Sequence, residues 1–159
     1  MKLRKFHVAL AIIFLSLLLL SCTDSKKEID ISNSAYLYGN EVKETSEIKM
    51  KGEYDTKKHS FIGSLSIGNG ITFDNITFSS GSGLISYNKA TRAYLGQIFF
   101  DHNSLELTIE ITDKDLYQKL THSINDGEKK ITITSPATNI EDAKRINSEL
   151  KNKELPFEK

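Results

Sequence analysis

From Glu47 onward the hydrophobic positions recur every second residue. Ile48, Met50, Gly52 and Tyr54 alternate with Glu47, Lys49, Lys51 and Glu53, as in a strand with one face in the core and one in water. A polar turn over 55–59 leads to Phe61, Gly63, Leu65 and Ile67, which alternate with serines and Ile62. Gly68-Asn69-Gly70 then predicts a tight hairpin, because primed turns need positive φ. Ile71 and Phe73 carry the pattern on until the apolar parity slips to Ile76 and Phe78. A one-residue slip at Asp74-Asn75 means a β-bulge or a second tight turn. Beyond the flexible loop Ser79–Gly83, a short strand is expected over Leu84–Tyr87. Tyr94–Asp101 is more fully apolar, the pattern of a strand covered on both faces. Leu105, Leu107, Ile109 and Ile111 alternate strictly with Glu106, Thr108, Glu110 and Thr112, so Leu107 and Ile109 are expected inside and Thr108 and Glu110 outside.

At Asp113 the period changes. Leu116, Leu120 and Ile124 stand four apart with Tyr117 alongside, which predicts an amphipathic helix over 113–125, stopped at Asn125-Asp126-Gly127. Ile131 and Ile133 mark a last strand over 129–135, broken by Pro136. Thr138-Asn139-Ile140-Glu141 has the spacing of a capping box, and Ile140, Ala143, Ile146 and Leu150 share one face of the helix that follows. Ahead of these elements, residues 22–46 are read as a polar tether, although Tyr36-Leu37-Tyr38 could dock on the domain. The expectation is one α+β domain over 47–151 and a frayed tail over 152–159. Its architecture is an antiparallel β-meander of about six or seven strands, with two late helices on one face or end. A small closed β-barrel with a C-terminal helix is the second architecture. Closure around a ligand takes about eight strands, more than the pattern supplies.

The N-terminus follows a different logic. Lys2, Arg4 and Lys5 precede an almost wholly apolar run, Val8–Leu20, in the layout of a secretory signal peptide over 1–21. At about 1.5 Å per residue this run makes roughly 20 Å of helix, too short for a hydrocarbon core of about 30 Å. Leu19-Leu20-Ser21-Cys22, holding the chain's single cysteine, resembles the lipobox of bacterial lipoproteins. Leu19 and Ser21 fit that pattern, and Leu20 is larger than usual at its place. The resemblance implies diacylglyceryl transfer to the Cys22 thiol and signal peptidase II cleavage between Ser21 and Cys22, with the new amine open to acylation. One acyl chain holds a protein only marginally and two hold it stably, at about 0.8 kcal/mol per buried CH₂. Lipidation also removes the oddity of a lone exported thiol without a disulfide partner in the chain. In a bacterial protein Asn75-Ile76-Thr77 is not a glycosylation sequon, despite its form.

Removing 1–21 leaves 138 residues, enough for one domain, with 18 Lys and Arg against 21 Asp and Glu. A net charge of −3 gives no electrostatic reason to expect nucleic acid as a partner. Lysine dominance over arginine and frequent Ile and Asn lean towards an AT-rich, Gram-positive source.

Candidate chemistry is sparse. His59, His102 and His122 have no short mutual spacing, whereas zinc sites declare paired ligands. They are read as two turn histidines and one helix-surface histidine, and Asp101-His102 as a backbone-driven turn. Glu106 and Glu110 share a strand face but stand roughly 13 Å apart, beyond the roughly 5–9.5 Å of glycosidase carboxylates. The glycine turns lack the Gly-Lys-Ser/Thr of a phosphate loop, and no Gly-x-Ser-x-Gly elbow is present. No cofactor is expected, and no catalytic or metal residues are nominated. Two function classes stand. One is a non-enzymatic, membrane-anchored module at the extracytoplasmic face, held by acyl chains on Cys22 and binding an envelope protein, polymer or small ligand. The other is an envelope hydrolase with a dispersed active site.

Overall fold

The computed structural model describes residues 25–39, 42–123 and 129–154. The signal region with Ser21 and Cys22, the helix stop at 125–127 and the tail from 155 lie outside the described residues. Eight strands run β1 (Lys26–Gly39), β2 (Lys43–Asp55), β3 (Ser60–Ile67), β4 (Ile71–Ser79), β5 (Ser82–Asn88), β6 (Thr91–Asp101), β7 (Glu106–Ile111) and β8 (Ile131–Ser135). Helix α1 (Lys114–Thr121) separates β7 from β8, and α2 (Ile140–Glu154) follows β8. Each strand pairs antiparallel with the next, and β8 returns to β1 through Tyr36↔Thr134 to Gly39↔Ile131. The sheet is therefore a closed barrel, and the open meander of six or seven strands is corrected to the second architecture.

The strand that closes it is the stretch expected to be a tether. In β1, Ile29, Ile31, Ala35 and Leu37 are buried at 2% exposure or less, alternating with outward polar and tyrosine side chains. The strand runs along β2 from Lys26↔Asp55 to Tyr38↔Lys43. The domain thus begins by Lys26 rather than at Glu47, because these four side chains complete the core and the backbone completes the ring of hydrogen bonds. Closure matters physically: it removes the two exposed edges that an open sheet would leave as templates for aggregation.

Eight strands enclose a space that side chains can just fill, and here they fill it. Ile48, Met50, Leu65, Ile76, Leu84, Ile98, Leu107, Ile109 and Ile133 meet on the axis, all fully buried. One end is plugged by aromatic rings: Tyr54 lies edge-on to Phe100 at 5.5 Å, Phe61 stacks on Phe78 at 5.1 Å, and Phe78 meets Phe100 at 5.9 Å. Gly52 and Gly63 face each other across β2 and β3, and a Cβ on Gly63 would lie 2.6 Å from the Phe61 ring, so the pair leaves the room this ring occupies. At the other end α1 inserts Leu116 and Tyr117. Asp113 caps α1 by accepting from the Leu116 amide at 2.8 Å, and His122 ends it in the left-handed conformation, earlier than the expected 125. Apolar side chains inside and polar ones outside are the reverse of a membrane-spanning barrel. Among the described residues no helix is long and apolar enough to cross a membrane.

The expected slip at Asp74-Asn75 is a bulge: the ladder passes from Gly63↔Ile76 to Leu65↔Phe73, giving β4 one extra residue. Helix α2 packs on the outside of the barrel over β6, β7, β8 and β1. Its cap is shifted by one from the expected box. Asn139, not Thr138, accepts from the Asp142 amide at 2.9 Å and donates to the Asp142 carboxylate at 2.7 Å. The helix buries Ala143, Ile146 and Leu150, the last two against Phe99.

Candidate functional site

The docking of α2 divides the outer surface. Under the helix, Thr108 and Thr134 are fully buried and share a hydrogen bond of 3.0 Å between their hydroxyls. Thr108 was expected in water; the helix covers it, and the hydroxyl finds its partner across the β7–β8 pair. Glu110, beside it, is ion-paired with Lys151 of α2. Leu107 and Ile109 point inward, as the alternation predicts.

On the arc that α2 leaves bare, one cross-strand row runs over four strands: Ile62↔Thr77, Thr77↔Ile85 and Ile85↔Tyr94. Ile62 is 63% exposed and Tyr94 54%, and Tyr87 beside them 38%. The Tyr94 ring lies over Gly83, 2.6 Å from where a Cβ there would stand. A depression of about 390 Å³ around this ring is lined by Thr77, Ser82, Gly83, Ile85, Arg92 and Tyr94. At the other end of the row, Ile62 borders a groove of about 610 Å³ with Lys26, Glu28, Lys51, Gly52 and Glu53. Lys26 pairs with Glu53 at 2.6 Å and Lys51 with Asp30 at 3.1 Å, which leaves this flank with one net negative charge, that of Glu28. Large apolar groups set side by side on an otherwise polar surface mark contact surfaces more often than single exposed ones do. The sequence carried one sign of this row: Ile62 is the apolar residue standing at an outward position of its strand.

The histidines fall in two places. His59 and His102 line one small depression of about 170 Å³ at the aromatic end, with Tyr54, Phe100, Asp101, Leu150 and Lys153. The His102 ring stacks on Tyr54 at 4.9 Å. Asp101 is engaged there by Lys153 at 2.6 Å and by the Asn103 amide at 2.9 Å. Partial burial alone would push its carboxyl up. The Lys153 ammonium and the amides of Asn103 and Ser104 outweigh that and hold it below the usual carboxylate range. The Asp101 carboxylate in turn holds the Lys153 ammonium above the ordinary lysine range. His122 stands apart, on a groove of about 640 Å³ between α1 and the β3–β4 turn. Glu106 and Glu110 diverge, the first accepting from Ser104 at 2.9 Å and the second bound to Lys151. Among the described residues no three His, Cys, Asp or Glu gather as a metal site. In comparisons with known proteins, no family model, curated protein or solved structure matches this chain.

Proposed function

We propose that the chain is an extracytoplasmic bacterial lipoprotein, anchored through acyl chains on Cys22, that acts as a non-enzymatic interaction module at the cell envelope. The observation that carries the interaction reading is the exposed row from Ile62 to Tyr94 on the outside of a barrel whose axis is packed with side chains. A core closed by rings at one end and α1 at the other directs attention from the interior to this face. Tyr94, packed against Gly83 beside Arg92, offers an aromatic surface and a cation for an envelope protein or polymer. The anchor half of the reading rests on Leu19, Ser21 and Cys22, which resemble the lipobox.

Tyr94→Ser tests the surface. Its far-UV circular dichroism and melting temperature should stay close to those of the parent, because the ring is on the outside. Binding to purified envelope material should fall about tenfold or more if the ring is a contact anchor. Unchanged binding would remove Tyr94 from the interaction surface. The hydrolase alternative has the convergence of His59 and His102 in its favour. The Asp101 carboxylate on the same depression is already engaged by Lys153 and turn amides, so the interaction reading stands first.

A further inference from the structure

Ser25, the first described residue, lies at the end of the barrel where the exposed row starts with Ile62. Ser25 follows Cys22 by three positions, and three residues of extended chain reach at most roughly 11 Å. Ser25 is itself pinned. Its carbonyl accepts from the Thr56 amide at 2.7 Å and the Thr56 hydroxyl at 3.0 Å. Thr56 opens the turn from β2 to β3, where the amides of Lys57 and Lys58 donate to Asp55 at 2.9 and 3.0 Å. That bonding fixes the turn's shape and leaves both lysine side chains exposed. Two residues into β3 from the end of this turn stands Ile62, the most exposed large hydrophobic side chain described. A short, pinned leader cannot lift this corner far from the lipid that holds Cys22.

Resting on the lipid anchor proposed above, we infer that the bilayer surface is what covers this corner. Lys57 and Lys58 sit among anionic headgroups and Ile62 reaches the interface below them. Tethering supplies a high effective concentration of membrane, so weak contacts are enough to set the posture. Two lysines beside an anionic leaflet each favour apposition by about fivefold, and an apolar side chain adds to this. The carboxylates flanking Ile62 are offset in part, Glu53 by Lys26 and Asp30 by Lys51, while Glu28 on the same groove and Asp55 in the turn reduce what Lys57 and Lys58 contribute. In this posture Tyr94, three strands further round the barrel, stays open to a partner.

The chain has no tryptophan, so a single introduced indole reports its own surroundings. The full-length acylated protein is reconstituted into vesicles of phosphatidylglycerol and phosphatidylcholine, part of the latter brominated on its acyl chains. Ile62→Trp should shift its emission to the blue and lose half or more of its intensity to the bromines. Lys144→Trp, on the exposed side of α2, should do neither. Adding Lys57→Glu and Lys58→Glu should relieve the quenching of Ile62→Trp. If Ile62→Trp is quenched no more than Lys144→Trp while the protein stays with the vesicles, the anchor stands and the posture is overturned. Protein left in the supernatant would overturn the anchor and the posture together. A blue shift without quenching that grows with protein density would assign the corner to a second copy of the chain, and overturn it too.

Discussion

Thr108 and Thr134 offer a test of how α2 is seated. Both side chains are fully buried, and they face each other in the β7–β8 ladder with their hydroxyls 3.0 Å apart. Valine has threonine's shape without the hydroxyl. Thr108→Val therefore keeps the packing but strands the Thr134 hydroxyl where water cannot reach it. Leaving a buried polar group unsatisfied costs about 1–3 kcal/mol, so each single valine should destabilise the domain by that amount. The double variant removes both hydroxyls and leaves four methyl groups under the helix. Replacing both partners by apolar groups of the same shape is close to neutral or stabilising. The double-mutant cycle should then show coupling of about 2–6 kcal/mol, the two single penalties together, with the pair far less damaged than the sum of the singles. Urea titration of a chain beginning at Thr23, followed by far-UV circular dichroism, reads this from the midpoints when the slopes agree. Single variants within about 0.5 kcal/mol of the parent would behave as surface threonines do, and would show that α2 does not cover this face. A double variant as unstable as the two singles added together would show that the hydroxyls are not partners.

Two more outcomes follow from the same contacts. A chain beginning at Glu47 lacks β1, including Ile29, Ile31 and Leu37, each contributing about 1.5–3 kcal/mol of burial against a total domain stability of roughly 5–15 kcal/mol. It should show no cooperative melt, whereas a melt matching that of the longer chain would remove β1 from the barrel. Asp101, held below its ordinary value of 3.8, contributes stability that is present above that value and lost as pH falls through its lower folded value. Asp101→Asn should thus melt below the parent at neutral pH, and the two curves should converge as the solution is acidified past 3.8; a gap independent of pH would contradict the Lys153 pairing.

Strands with dense apolar alternation were legible in the sequence. β2, β3 and β7 place an inward side chain at nearly every second position, and even the bulge at Asp74-Asn75 shows as a parity slip. β1 obeys the same period through Ile29, Ile31, Ala35 and Leu37, but Asn33 occupies the inward position midway and Ser32 and Ser34 flank it. That polar interruption splits one long strand into two fragments too short to register, and with it the closure of the barrel was hidden. Thr108 failed for a different reason. Alternation reports which face of a strand a residue takes, and it is silent on what lies over the outer face; α2 arrives there from 32 positions later in the chain, at Ile140. The capping of α2 was placed one residue early because Thr-x-x-Glu and Asn-x-x-Asp overlap at 138–142, and the fit of Ile140 as first helical residue selects the second. The exposed row was half legible: Ile62 stands out of pattern, but its alignment with Ile85 and Tyr94 is a property of strand register that no local stretch encodes.

The central claim, a barrel held at the membrane by lipid on Cys22, is tested most directly by metabolic labelling with an alkyne fatty acid in a bacterial host, followed by membrane fractionation. The wild-type chain should carry the label and sediment with membranes, and Cys22→Ser should carry none and appear in the soluble or secreted fraction, or persist as an uncleaved precursor. Equal labelling of the two proteins would contradict the account.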